Sequence, residues 1–353
     1  MDFKKILSDR RIPSPTPENI IDPDGRAIFG TFDKEFRKMD FLKIKGQSPV
    51  FPDILNKQRL TLWEAIEVNF RDAIFLTAVC DMGLTITALT CFYDKRKKKL
   101  TYWKQSPKKH EVRVSYNLLD GDTTECTHKN LKLKCINHFE RGNAYICGDA
   151  FDKNKGFINY DIELEKVSLP SVVSIPFGDN KPLYTQKDLF RAKGYIEING
   201  ERFEADEDST AIIDDHRGYY PYIAHYDWLT TMGKKEIDGE MKYFGFNLTR
   251  NQSVDQTNYN ENLIWFEGST SRLTPVRFEH PEYNKWRVRD DYGMVDVTFD
   301  IADRFILRIP AVVVDVKYHI TFGEISGYVC DEDGNKYILD GMIGLGEDKS
   351  LRI

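Results

Sequence analysis

No apolar run in this 353-residue chain approaches the ~20 residues that span a bilayer as a helix. Its opening, Met1 to Arg10, has no apolar core of the secretion-signal kind. A cytoplasmic location and no membrane partner are therefore expected. The six cysteines (Cys80, Cys91, Cys126, Cys135, Cys147 and Cys330) are scattered without a CxxC pair, so they read as free thiols. In that setting the sequons at Asn247 and Asn251 carry no expectation of glycosylation. An excess of positive charge is also missing. The formal net charge of −6 counts against a nucleic-acid partner. The one strongly basic run, Lys95-Arg96-Lys97-Lys98-Lys99, lies between two strand-like segments and reads as a solvated hairpin tip.

Several catalytic signatures are absent too. There is no GxGxxG after a strand, no GxxxxGKS/T loop, no GxSxG elbow and no HExxH pair. Nucleotide-dependent redox, phosphoryl transfer and serine hydrolysis are disfavoured, and no cofactor is expected. Gly344-Leu345-Gly346 follows a hairpin and reads as a turn.

What is present is period two. Leu60, Leu62, Ile66, Val68 and Phe70 share one face of a strand interrupted by Glu64, with Trp63, Ala65 and Glu67 on the other. Asn199-Gly200 suits the positive φ angles of a tight hairpin turn, and similar punctuation falls at 290–293 and 331–334. Long helices are scarce. The best short candidate runs from Thr185 to Phe190, with Thr185 as cap. Many short strands at hairpin spacing imply an all-β chain, a sandwich or a barrel. The length fits two domains, divided at the proline-containing segment 175–182 into 1–183 and 184–353. Proline at every second position from Pro13 to Pro17 marks an extended arm.

The richest segment is Asp214 to Trp228. Acids, two imidazoles, an arginine and the rings of Tyr219, Tyr220, Tyr222, Tyr226 and Trp228 crowd into fifteen positions. Such a mixture lines ligand pockets, and it also makes hydrogen-bonded barrel corners. Asp214 and Arg217 can form a charge-assisted pair that closes a barrel end. Asp215, His216, His225 and Asp227 are the catalytic candidates. A carboxyl desolvated among aromatic rings has a raised pKa and can donate a proton, while the ring faces stabilise a developing carbocation. The alternative is that these side chains simply point outward, as half of any strand does.

At this point the chain resembles the DUF2804 family, from about Gly30 to Glu347. The resemblance is carried by Arg59-Leu60-Thr61-Leu62-Trp63-Glu64, by Tyr184-Thr185-Gln186-Lys187 before Gly194, and by Asp214-Asp215-His216-Arg217-Gly218 leading into Pro221-Tyr222 and Trp228. Gly245-Phe246-Asn247-Leu248, Glu261-Asn262-Leu263-Ile264, Asp296-Val297-Thr298-Phe299 and Phe322-Gly323-Glu324-Ile325-Ser326-Gly327 complete it. The chain departs from the family's habit at Asp215, where Trp is usual, and at Asp227, where Asn is usual. The resemblance implies kinship with tandem lipocalin-like barrels that include carotenoid hydratases and certain fungal cyclases. It thus implies two antiparallel lipocalin-like barrels in tandem, with a ligand cavity in or between them. It transfers no catalytic residue.

The expected ligand is a small apolar or amphipathic molecule such as a lipid or terpenoid. Tyr219, Tyr222, Tyr226 and Trp228 are the candidate walls, with Arg217, Asn247, Glu261 and Asn262 as polar contacts. The last three can equally satisfy barrel backbone groups. Lys187 can pair with an anionic headgroup or stand as a surface lysine. If the protein is an enzyme, hydratase, lyase or isomerase chemistry is expected; a non-catalytic carrier and a carbohydrate binder are the alternatives. No metal is expected. The Cys126, His128, Cys135 and His138 spacing is not that of a standard finger, and His216 with His225 has no obvious third ligand.

Overall fold

The computed structural model describes residues 2–8, 10–46, 52–310 and 315–352. The described residues form antiparallel strands with one short α-helix, Phe3–Leu7. The strands make two sheets, each curled into a lipocalin-like half-barrel. The middle of the first sheet runs Ile86–Asp94, Ala73–Asp81, Thr61–Asn69, Thr210–Gly218, Pro182–Ile198 and Gly156–Lys166 in neighbouring order. In the second, Glu240–Arg250, Ile223–Ile237, Met342–Arg352, Asp315–Cys330 and Val295–Pro310 lie side by side, with Arg277–Glu282 at the far edge. The first sheet ends at Gly218 and the second begins at Ile223. A division at 183/184 therefore falls inside a strand of the first sheet.

Strand alternation gives each sheet two apolar faces. Ile66, Val68, Phe190 and Ile213 point into the first barrel, and Leu229, Phe299 and Val297 into the second. The outer faces of the two sheets pack on each other. Ala65, Leu76, Leu89, Trp228, Ile320 and Leu345 meet in one patch, and Leu189, Ile212, Met232 and Trp265 in another.

The hairpin expectations hold. Asn199 and Gly200 take φ of 52° and 85°, and the basic run joins Ile86–Asp94 to Lys99–Gln105. Two expectations need correction. Residues 185–190 belong to strand Pro182–Ile198, because Leu183 and Leu189 pack between the sheets while Phe190 packs inside the barrel. Gly344 and Gly346 lie within strand Met342–Arg352. Packing explains Gly346: a Cβ there would come within 2.6 Å of the Trp286 ring.

The N-terminal arm crosses between the barrels. Phe3 and Leu7 cap the second core, and the buried Arg11 donates to the Asn260, Asn262 and Leu273 carbonyls. Farther along, Ile20, Ile21, Phe36 and Phe41 pack with Tyr184 and Tyr219 of the first unit.

Candidate functional site

Period two splits the Asp-Asp-His-Arg motif between two environments. On strand Thr210–Gly218, Asp215 and Arg217 point into the first barrel, and Asp214 and His216 point towards the second sheet. The charge pair of the motif is therefore Asp215 with Arg217, not Asp214 with Arg217. The guanidinium donates from Nε and Nη2 to the two carboxylate oxygens, both at 2.7 Å. Its remaining donors reach the Ser115 and Tyr116 carbonyls. Glu64, the break in the apolar pattern of Thr61–Asn69, faces the same lumen and accepts from Ser115, Thr124 and Asn137. Burial pushes Asp215 up to about 6 against the pull of Arg217. This network is satisfied and enclosed, and it places neither Asp215 nor Arg217 near a ligand surface.

Asp214 and His216 sit in a polar island between the apolar patches of the interface. Strand register sets Lys187 beside Asp214 and Thr185 beside His216. Lys187, 2% exposed, is not a surface lysine. Its ammonium donates to Glu261 and Thr185, lies 2.9 Å from His216 Nε2 and 3.5 Å from Asp214 Oδ1. His216 Nε2 is also 3.1 Å from Asp214 Oδ1, and Thr185 donates to Glu261 Oε2 at 2.6 Å. Burial opposes every charge here. His216 and Lys187 nevertheless hold Asp214 below the ordinary carboxylate value, and Lys187 does the same for Glu261.

In two further carboxyls burial outweighs the compensation. Glu67 points into the interface with Oε2 buried and unpartnered. Burial and the nearby Asp214 and Glu347 charges drive its pKa well above the usual glutamate range. Glu347, beside Trp228 and Ile320 in the strand register, is likewise raised by burial. Tyr226 donates to its Oε2 at 3.2 Å and Tyr318 to its Oε1. The island thus pairs Asp214 and Glu261, whose pKa values are lowered, with Lys187 and sets beside them Glu67 and Glu347, whose values are raised.

Asp214, His216, Glu261, Glu347, Tyr220, Tyr226 and Trp228 surround a chamber of about 20 Å³, enough for one water. Across the Tyr318 and Tyr226 wall lies a cavity of about 640 Å³, within the range of ligand pockets. Its lining includes Trp63, Ala78, Ile86, Leu89, Phe305, Leu307, Val316, Tyr222 and Tyr318, with Lys349 as a buried cation. Lys349 lies 5.0–5.9 Å from the rings of Trp63, Tyr220, Tyr226 and Tyr318. Among the described residues no hydrogen-bonding or ion-pair partner reaches its ammonium.

Residues 12–353 match a family described as a domain of unknown function, DUF2804. The chain belongs to the DUF2804 family. No curated protein matches it by sequence. Among solved structures it is similar to kievitone hydratase from Nectria haematococca, at 11% identity and a TM-score of 0.51, over 83% of this chain and 88% of that one. It is also similar to CghA, at 9% identity and a TM-score of 0.50, over 98% and 97% of the two chains. These likenesses establish the shared tandem-barrel fold.

The DUF2804 chain distributes the remaining sequence candidates over several places. Trp228 joins the island: its Nε1 donates to Asn247 Oδ1 at 2.6 Å, and Asn247 in turn donates to the Glu261 carbonyl. Asn262 serves the backbone, accepting from Thr249 N and donating to the Thr274 carbonyl. Tyr219 is buried in the arm cluster, donating to the Phe41 carbonyl. Tyr222 borders the large cavity with the Arg59 guanidinium 4.2 Å from its ring centre. His225 and Asp227 point into the second barrel, away from the island. Cys126 and Cys135 are core residues of the first barrel, and among the described residues the spaced Cys/His set does not come together as a ligating group.

Sequence reasoning missed Glu67, Glu347, Lys349, Trp63 and Tyr318 as site residues. The only signal for Glu67 was an acid inside an otherwise apolar strand. Glu347 and Lys349 flank Asp348 near the C-terminus and read as an ordinary charged end.

Proposed function

We propose that this DUF2804 protein takes a small apolar or amphipathic molecule into the cavity between its barrels and carries out acid–base chemistry of the hydratase, lyase or isomerase kind. One observation carries the reading. A water-sized chamber lined by Glu347, Tyr226, Asp214 and His216 is linked, through the hydrogen bond from Tyr318 to Glu347, to an apolar cavity that Tyr318 lines and that is large enough for a ligand.

In the direction of water addition, the protonated Glu347 carboxyl gives its proton to a carbon–carbon double bond, and the π electrons form the new C–H bond. Trp63, Trp228 and the tyrosine faces stabilise the resulting cation. Water in the chamber supplies the electron pair for the new C–O bond and loses a proton to the Asp214–His216 pair. Returning that proton to Glu347 restores the starting state. Isomerisation uses the same first step and loses a different carbon-bound proton. Lys349, among aromatic rings at the cavity, supports a substrate carrying an acidic group. The apolar lining counts against a carbohydrate.

The test is extraction and mass spectrometry of small molecules retained by the purified protein, beside an Ala78→Trp variant that fills the cavity. An apolar or amphipathic compound lost in that variant, and deuterated or hydrated when incubated in D₂O with wild type, is the expected result. Removing the acid in Glu347→Gln should slow this exchange by roughly 10²–10⁴-fold. A retained compound that never changes supports a carrier instead, and a retained sugar sinks the reading.

A further inference from the structure

Three of the chain's seven histidines meet two aspartates inside the second barrel, on the opposite face of the sheet from the acid–base island. Asp227, Asp348 and His319 form one row across strands Ile223–Ile237, Met342–Arg352 and Asp315–Cys330. His225 lies two residues along, and His280 comes round from edge strand Arg277–Glu282 as the sheet curls.

The contacts converge on Asp227. Its Oδ2 is 3.1 Å from His225 Nε2 and its Oδ1 is 3.1 Å from His280 Nε2. Asp348 Oδ1 lies 3.9 Å from His225 Nδ1, and Oδ2 lies 3.8 Å from His319 Nδ1. One ligand atom each from His225, Asp227 and Asp348 falls within 4.8 Å of the others. Ligand atoms bound at about 2.0–2.1 Å around a tetrahedral zinc are separated by about 3.3 Å, so small rotations close the set.

We infer that His225, Asp227 and Asp348 form a binding site for a divalent transition-metal ion inside the second barrel, with His280 orienting Asp227 and His319 orienting Asp348.

Four observations support this. Asp227 is 2% exposed, and its Oδ1 lacks a properly aligned hydrogen bond although it faces the cluster. His225 Nδ1 lies 2.9 Å from Ser350 Oγ, which holds the ring with Nε2 3.1 Å from Asp227 Oδ2. The His280 ring is stacked on Trp286 at 4.9 Å, which fixes its plane. Finally, His225 and His280 are 41% and 34% exposed, giving an ion a route in. Mixed imidazole and carboxylate donors favour zinc, cobalt or nickel over magnesium and calcium, which prefer all-oxygen shells. A bound ion joins the adjacent strands Ile223–Ile237 and Met342–Arg352, whose other faces carry Trp228, Glu347 and Lys349.

The experiment uses tag-free, chelator-treated full-length protein. Titration with zinc chloride in a calorimeter should give one ion per chain, and saturation should raise Tm by roughly 3–6 °C; magnesium chloride should do neither. Cobalt should produce visible ligand-field bands without the near-ultraviolet thiolate band that cysteine binding would bring. The part-exposed His280→Ala and His225→Ala variants should fold and bind zinc at least 10-fold more weakly. Absence of binding up to millimolar zinc, equal affinity in both variants, or a thiolate band with cobalt would each overturn the assignment.

Discussion

The ammonium of Lys349 lies 5.0 Å from the ring of Tyr318, its neighbour in the strand register, and both line the cavity between the barrels. A cation held by ring faces alone keeps its hydrogen-bonding capacity for an incoming group. Lys349→Met should therefore weaken binding of a dansylated fatty acid by about 10-fold or more, since a hydrogen bond to a charged group contributes ~1.5–3 kcal/mol. The corresponding dansylated alcohol should bind both proteins alike. Equal loss for acid and alcohol would mean that the lysine only shapes the cavity.

Asp215 and Arg217 support the fold rather than the chemistry. Asp215→Asn strips a buried guanidinium of its bidentate partner and should destabilise the protein by ~3–5 kcal/mol at neutral pH. Denaturant unfolding measures this. Ligand affinity per folded molecule should be unchanged, whereas a selective loss of affinity or turnover without loss of stability would return Asp215 to the site.

Glu67 supplies a pH signature. Its folded pKa lies well above the ordinary 4.5, so between those values the native state holds a proton that the unfolded chain releases. The associated stability is fully present below about pH 4.5 and is lost as pH rises through the folded pKa. Glu67→Gln removes that dependence. Its Tm advantage over wild type should grow from pH 5 towards pH 9; a difference independent of pH would show that Glu67 is not a buried acid of this kind.

Much of the architecture was legible because period two and turn chemistry are local. The Asn199-Gly200 hairpin and the split of strand Thr61–Asn69 into two faces needed only neighbouring residues. The misread segment at 185–190 shows the limit: its polar side chains look solvated until tertiary packing buries them as Thr185, Gln186, Lys187 and Asp188. The site was half legible for the same reason. His216, Trp228, Lys187 and Glu261 stood in noticeable motifs, but Asp214 and Asp215 exchanged roles because strand phase, not spacing, decides which face each occupies. Glu347 meets Trp228 only through the pairing of strands more than a hundred residues apart, and nothing in its local sequence distinguishes it.

The arm that carries Phe3, Leu7 and Arg11 makes the second barrel discontinuous along the chain. Its core is completed by residues that precede the first barrel in the chain, so the second barrel closes over a segment lying upstream of the first. A fragment beginning at Ile223 would present the Asn260, Asn262 and Leu273 carbonyls without the guanidinium that binds them. The second barrel thus depends on a segment from the far side of the first, and the two are joined by more than the short link from Gly218 to Ile223.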